Sequence, residues 1–370
     1  MRRASSFGKC ASGRQLGEQP ERIRRRLRDE TGTLFREAPE RVALVYPSPY
    51  RVGMSSLGFQ TLYRQINRRP GGAAERAFLP DNPSALHRAR TPLLCYESSR
   101  PVGDFPLVAF SVAYELELGG VVQALQLAGI PPLWERREGR HPFVLCGGPL
   151  TYTNPLPLAP FADAILMGEA DRTIHLALDI IAQSPDKRRA REALASEIDS
   201  CLVPAVHGER DRPLARCPAE LLPASSQIRT PHAELSDMFL VEAVRGCSRG
   251  CTYCVMRASL GGGMRVVDQR AILRSLPDDA HRVGLVGAGV SDHPRIAALV
   301  RLLAEQGREV GLSSLRPDRL DDDLAAALRQ AGGRTLTTAL DGASQRLRDR
   351  VGRRVRAEHL LKAARLAHAH

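Results

Sequence analysis

Three thiols fall within eight residues of this chain, in the run Cys247-Ser-Arg-Gly-Cys251-Thr-Tyr-Cys254. Thiolates are soft ligands, suited to zinc or to iron–sulfur clusters. Gly246 and Gly250 permit the tight backbone that lets a loop turn its sulfurs toward one face. Arg245, Arg249 and Arg257 surround them and favour the thiolate form. Three chemistries fit such a run. Structural zinc takes four protein ligands, usually as two closely spaced pairs, and no second pair lies nearby. A ferredoxin-like cluster also takes four cysteines, at other spacings. A cluster held by three cysteines leaves one iron open.

The remaining cysteines, Cys10, Cys95, Cys146, Cys201 and Cys217, are scattered, and they do not read as a disulfide framework. Cys95 and Cys146 sit in or beside apolar runs and read as small buried residues.

The elements that must position the thiols follow from period and punctuation. Residues 1–40 read as a basic, poorly ordered lead-in with a short helix. Short apolar runs at 41–46, 76–79, 107–112, 143–146 and 164–167 read as buried strands, most of them stopped by proline or glycine. Helical spacing lies between them at 55–67, with Ser55 or Ser56 as cap, and at 115–127, ended by Gly129 and Pro131. Strands alternating with helices predict an α/β fold, here an N-terminal doubly wound, Rossmann-like parallel sheet over 41–185. Residues 186–236, rich in charge and proline, read as a connector. A second βα series over 237–370 has strands at 239–244, 283–286, 310–315 and 335–340, with helices near 294–305, 319–331 and 357–368. Repeats of that length predict a partial (β/α) barrel.

Bulk properties narrow the class. The 370 residues are 43% hydrophobic and 25% charged, as in a globular protein of two domains. The arginines at 22–28 are accompanied by no apolar stretch of the leader kind, and no membrane span is expected, which together predict a cytoplasmic protein. The net charge of +12 comes mostly from arginine spread along the chain. It reads first as solvated faces and second as an attraction for RNA, disfavoured by an aromatic content of only 5%.

The CxxxCxxC spacing, with the preceding Val-Glu-Ala-Val-Arg-Gly-Cys247, resembles the radical S-adenosylmethionine superfamily. The resemblance implies a 4Fe-4S cluster on Cys247, Cys251 and Cys254, with S-adenosylmethionine on the open iron. It also implies reductive cleavage to a 5′-deoxyadenosyl radical and an electron donor of flavodoxin or ferredoxin type. Tyr253 occupies the aromatic position that lies against the adenine. Val283–His293 matches the glycine motif that receives the methionyl amino group, through Gly287 and Gly289, though without its usual acidic member. Ser313, Ser314 and Arg316 match the end of the third strand, where the cofactor carboxylate is held. Asp341 stands where the family has a ribose-binding glutamate. No substrate is named by these motifs.

The first domain resembles the cobalamin-binding-type domain that precedes many such barrels, on residues 46–58, 92–98, 110–116, 146–149 and 167–169. A DxHxxG motif is absent, and a bound cobalamin and a sheet without one weigh equally. The family barrel has six βα units, and four precede His370 in a helical pattern that stops abruptly. A non-catalytic or truncated cluster-binding remnant is therefore one alternative reading. An RNA-modifying enzyme of the methylthiotransferase type is another, for which Cys10, Cys95 and Cys146 are poorly placed.

Overall fold

The computed structural model describes residues 14–256, 263–313 and 315–370. Cys10, Arg257 and Ser314 lie outside them.

The first sheet contains β1 (Glu40–Pro49), β2 (Gly72–Leu79), β3 (Leu107–Ser111), β4 (Phe143–Gly147), β5 (Ala164–Leu166) and β6 (Cys201–Leu202). Their order is β2-β1-β3-β4-β5-β6, with β1 to β5 parallel and β6 antiparallel to β5. Alternation along β1 feeds two cores. Val42, Leu44 and Tyr46 enter one with Phe59, Tyr63 and Ile66 of the helix Leu57–Arg68. Ala43 and Val45 enter the other with Val121, Ala124 and Leu125 of the helix Leu118–Leu127. A sheet covered on both faces is what the doubly wound expectation requires. Ser56 caps the first helix, accepting from Phe59 N.

Two expectations need correction. The lead-in is not loose where it is described. The helix Arg14–Arg28 sets Ile23 into the core, and the following Glu30 meets Arg76 at 2.8 Å. Arg76 is fully buried on β2 and also bonds Glu97 at 2.7 Å, so the segment closes over a buried ionic triad. A run of arginines hides this because one apolar side chain and one acid do the anchoring. The supposed connector also builds structure. The helix Lys187–Glu197 is capped by Asp186, buries Ala190 and Leu194, and leads into β6. Its apolar stripe is only two residues wide, and Arg191 turns inward to Asp163, a buried carboxylate shared with Arg137.

The second sheet is smaller: β7 (Met238–Glu242), β10 (Arg282–Val286) and β11 (Glu309–Leu312), all parallel in the order β11-β10-β7. Helices Ile296–Glu305, Asp322–Gln330 and Ala357–Ala369 pack on it through Leu299, Leu303, Leu324, Leu328 and Leu366. The fourth strand expected at 335–340 does not form. Only a Leu315–Thr338 bridge occurs, and the side chains from 335 to 340 are exposed or half-buried. Its β-branched residues have a sheet neighbour on one side alone, too little burial to fix an extended ladder. The hairpin of β8 (Val244–Cys247) and β9 (Gly263–Val266) was not expected from sequence.

Replacing Arg76 by Met leaves Glu30 and Glu97 buried without their cation, a loss of about 3–5 kcal/mol. Denaturant unfolding at neutral pH is expected to show it, with a smaller loss in mild acid, where the carboxyls take up protons. An unchanged midpoint would show that the triad does not hold the lead-in.

Candidate functional site

The cysteine run leaves from β8 and returns through β9, with Cys247 paired to Gly263 across the ladder. Gly246 has φ +84°, a left-handed turn that sends the chain into the loop. Cys251 is buried, and Cys247 and Cys254 are half-buried. All three line one cavity of about 250 Å³, which Tyr253, Arg316 and Asp341 also line. It lies beyond the carboxyl ends of β10 and β11, where open α/β folds place ligands.

The structure brings most of the other expected residues here. Gly287 ends β10 at φ +157°, and a side chain there would overlap the Val244 carbonyl, so the glycine lets β10 close against the hairpin. A β-carbon on Gly289 would stand 3.9 Å from Cys247 Sγ. Ser313 Oγ donates to Gly287 O at 3.4 Å. Asp341 pairs with Arg353 at 2.8 Å. Burial and the adjacent Asp341 carboxylate push the Tyr253 phenol up to about 12.

Sequence reasoning missed Asp292. Arg319 reaches its Oδ1 at 2.8 Å, and Arg249 and Arg316 each lie 3.6 Å from it. Its Oδ2 is buried with no partner, 3.4 Å from where a Gly289 β-carbon would stand. Nε of Arg249 and of Arg316 are also buried and unpartnered. Asp318 binds the guanidinium of Arg316 at 2.7 Å and that of Arg249 at 3.0 Å. Burial works against its charge, but these arginines outweigh it and hold the carboxyl below its ordinary range. Asp292 lies in the glycine segment itself, three residues past Gly289, at the end of the short turn Val290–Asp292.

A second ionic group fixes the hairpin to the first domain. Arg245 and Arg265 stand opposite each other across the β8–β9 ladder. Arg245 reaches Glu169 at 3.3 Å, Asp171 at 3.0 Å and Glu242 at 2.6 Å, and Arg265 also meets Glu169. Arg265 further donates to Cys217 O at 2.7 Å. Glu169, Asp171 and Cys217 bring ligand atoms within 4.8 Å of one another, but two guanidiniums already balance their charge, and burial raises the Cys217 thiol to about 12. This is an ionic clamp.

The donor set suits an iron–sulfur cluster: three soft thiolates of one loop line one cavity, and each could take a separate iron. Gly289 leaves space beside Cys247, and unpartnered polar atoms surround it. The other thiols are unlike these. Cys95, Cys146 and Cys201 are buried in the first domain, and burial raises Cys146 and Cys201 to about 12 and Cys95 well above its usual value. Cys95 and Cys146 share one core face, so they are not offered to a second cluster.

Comparison with known proteins agrees with this arrangement. The family model for radical SAM proteins, N-terminal, matches residues 58–204, and that of the radical SAM superfamily matches 241–370. The uncharacterized protein MJ0966 of Methanocaldococcus jannaschii is 24% identical over 333 residues, 88% of this chain and 66% of that protein. Two structures of the radical S-adenosylmethionine methyltransferase TsrM from Kitasatospora setae share the fold. One, with tryptophan and aza-SAM bound, has a TM-score of 0.56 at 13% identity, covering 89% of this chain and 66% of that one. The other, with cobalamin and a [4Fe-4S] cluster bound, has a TM-score of 0.57 at 14% identity, covering 89% and 67%. The chain therefore spans about two thirds of the length of the relatives it matches. The two family models account for both folded units and for the cysteine loop between β8 and β9, and the chain belongs to the radical S-adenosylmethionine superfamily.

Proposed function

We propose that this chain holds a [4Fe-4S] cluster on Cys247, Cys251 and Cys254 and binds S-adenosylmethionine beside it. The observation that carries the reading is the shared cavity: three thiols of one short loop open onto the same space as Tyr253, Arg316 and Asp341. When bound, the pair supplies one-electron cleavage of the sulfonium S–C5′ bond, giving methionine and a 5′-deoxyadenosyl radical.

The chain's own residues then act by binding and orientation. Gly289 would bring backbone close to the methionyl amino group, with Gly287 setting its position by packing on Val244, and the free Oδ2 of Asp292 would accept from that group. Ser313 and the unpartnered Nε of Arg316 would face the carboxylate. Tyr253 lies along the adenine, and Asp341 takes a ribose hydroxyl while Arg353 holds it in place. No helix of the described residues is long and apolar enough to cross a membrane.

A second reading concerns the first domain, whose order β2-β1-β3-β4-β5 has a switch point at the ends of β1 and β3. Tyr114 and Leu116 project there into solvent, Leu116 with 85% of its surface exposed. Gly148, at φ +106°, does not form a cradle; a β-carbon on it would stand 2.6 Å from Val112 O, so it serves close packing of the strand ends. The exposed Tyr114 and Leu116 would offer an apolar surface to a cobalamin at this edge, and the cobalamin bound in TsrM supports that reading.

Four outcomes test these readings. Anaerobic reconstitution is expected to give about four irons per chain, and any one of the cysteines replaced by Ala should lower that content severely. The electron paramagnetic resonance spectrum of the reduced protein should change on adding S-adenosylmethionine; an intact cluster whose spectrum ignores it would refute the open iron. Asp292→Asn should weaken S-adenosylmethionine binding roughly 10- to 100-fold, the value of a charge-assisted hydrogen bond, read by titrating that spectral change. Equal affinity would remove Asp292 from the site. Hydroxocobalamin should bind with a shifted absorbance spectrum and be weakened by Leu116→Asp; retention by both proteins alike would place it elsewhere.

A further inference from the structure

The segment that closes over the cysteine loop is the most cationic stretch near the site. Residues 345–356, Gln-Arg-Leu-Arg-Asp-Arg-Val-Gly-Arg-Arg-Val-Arg, carry six arginines and one aspartate. The segment touches the loop through its backbone. Thr252 N donates to Val351 O at 3.0 Å, and Gly352 O lies 3.8 Å from Cys251 Sγ. Gly352 has φ +69°, and a β-carbon there would stand 3.0 Å from Gly250 O, so only a bare backbone fits against the loop.

One arginine builds the turn, and others face outward. Arg348 is buried, and its guanidinium donates to Val355 O and Gly342 O at 2.8 Å and to Gln345 Oε1 at 2.9 Å. Arg346, Arg350 and Arg354 are exposed, and among the described residues none has a carboxylate within ion-pair distance. Arg354 also lines a depression of about 330 Å³ with Ser248, Arg249, Gly250, Arg319 and Gly352. This depression lies on the backbone of the cysteine loop itself. Unpaired exposed cations are free to attract an anionic surface, and such attraction sets association rate and register.

We propose that Arg346, Arg350 and Arg354 form the docking surface for a small acidic redox protein of the flavodoxin kind, which delivers its electron through the backbone of residues 247–254. The inference rests on the cluster reading above, since a cluster there must be reduced from outside. One electron leaves the partner's reduced flavin and enters the cluster; no bond or proton is exchanged at the patch. Charge complementarity favours an acidic protein, and the absence of exposed aromatic residues within 345–356 leaves nothing on which nucleic-acid bases would stack.

The test uses the full chain, wild type, the triple variant Arg346→Glu/Arg350→Glu/Arg354→Glu, and the triple Lys variant that keeps the charge. Oxidised flavodoxin is titrated with each chain before any cluster is installed, at low salt and at roughly 0.15 M ionic strength. The wild type should bind at least about tenfold more tightly at low salt, the Glu variant should lose that gain, and the Lys variant should keep it within about threefold. After reconstitution, reduction by reduced flavodoxin should slow at least about tenfold in the Glu variant, while reduction by dithionite stays unchanged. Equal binding and equal flavodoxin-driven reduction in wild type and Glu variant would overturn the docking surface. So would transfer RNA binding to the patch with no measurable flavodoxin affinity. Failure to take up iron would instead strike the cluster reading, and it is seen before flavodoxin is added.

Discussion

Two arginines placed opposite each other on a two-stranded ribbon repel, and β8–β9 has Arg245 facing Arg265. The ribbon is tolerated because Glu169 receives both guanidiniums, and Asp171 and Glu242 bring the carboxylates to three against two arginines. Glu169 comes from the end of β5, in the other sheet. The two folded units therefore meet in a group of mostly buried charges whose members are each costly alone and stable only together. Arg245 is two residues from Cys247, and Arg265 two from Gly263, so the roots of the cysteine loop inherit the position of the first sheet. Removing either sheet's contribution would leave the loop on a ribbon too short to be stable by itself.

The same economy governs the cavity. Asp292 and Asp318 are shared among Arg249, Arg316 and Arg319, leaving an excess of one positive charge beside the thiols. An excess of that sign favours the thiolate form of the cysteines that line the cavity. The unpartnered oxygen of Asp292 and the two unpartnered Nε atoms mark where the balance is left incomplete within the polypeptide. Buried polar atoms without partners are few in folded proteins, and three around one space point to a guest.

Much of the architecture was legible because it is written locally. Apolar runs located β1, β3, β4 and β5, three of them ending in proline or glycine, and of the two candidate caps Ser55 and Ser56 it is Ser56 that starts the helix following β1. What escaped was set by distant partners. Ile23 and Glu30 anchor a segment whose composition reads as solvated, and Arg191 looks exposed until Asp163 is placed beside it. Residues 335–340 have strand composition yet form one bridge, because composition cannot report a missing neighbour. At the site, cysteine spacing was informative in itself, since three thiols carried on one short loop reach one cavity with little help from distant residues. Asp292 depended on the short 3-10 turn Val290–Asp292 that aims it back toward Gly289, and no periodicity records that turn.

The contrast between the two populations of thiol has a further consequence. Cys95, Cys146 and Cys201 are packed among apolar side chains and stay protonated, so oxidants and alkylating reagents find little purchase on them. Cys247 and Cys254 are partly open to solvent and lie among guanidiniums. Oxidation by air is therefore expected to concentrate on Cys247 and Cys254, whose sulfenic and disulfide products thiols can reverse, and to leave the buried thiols of the first sheet untouched.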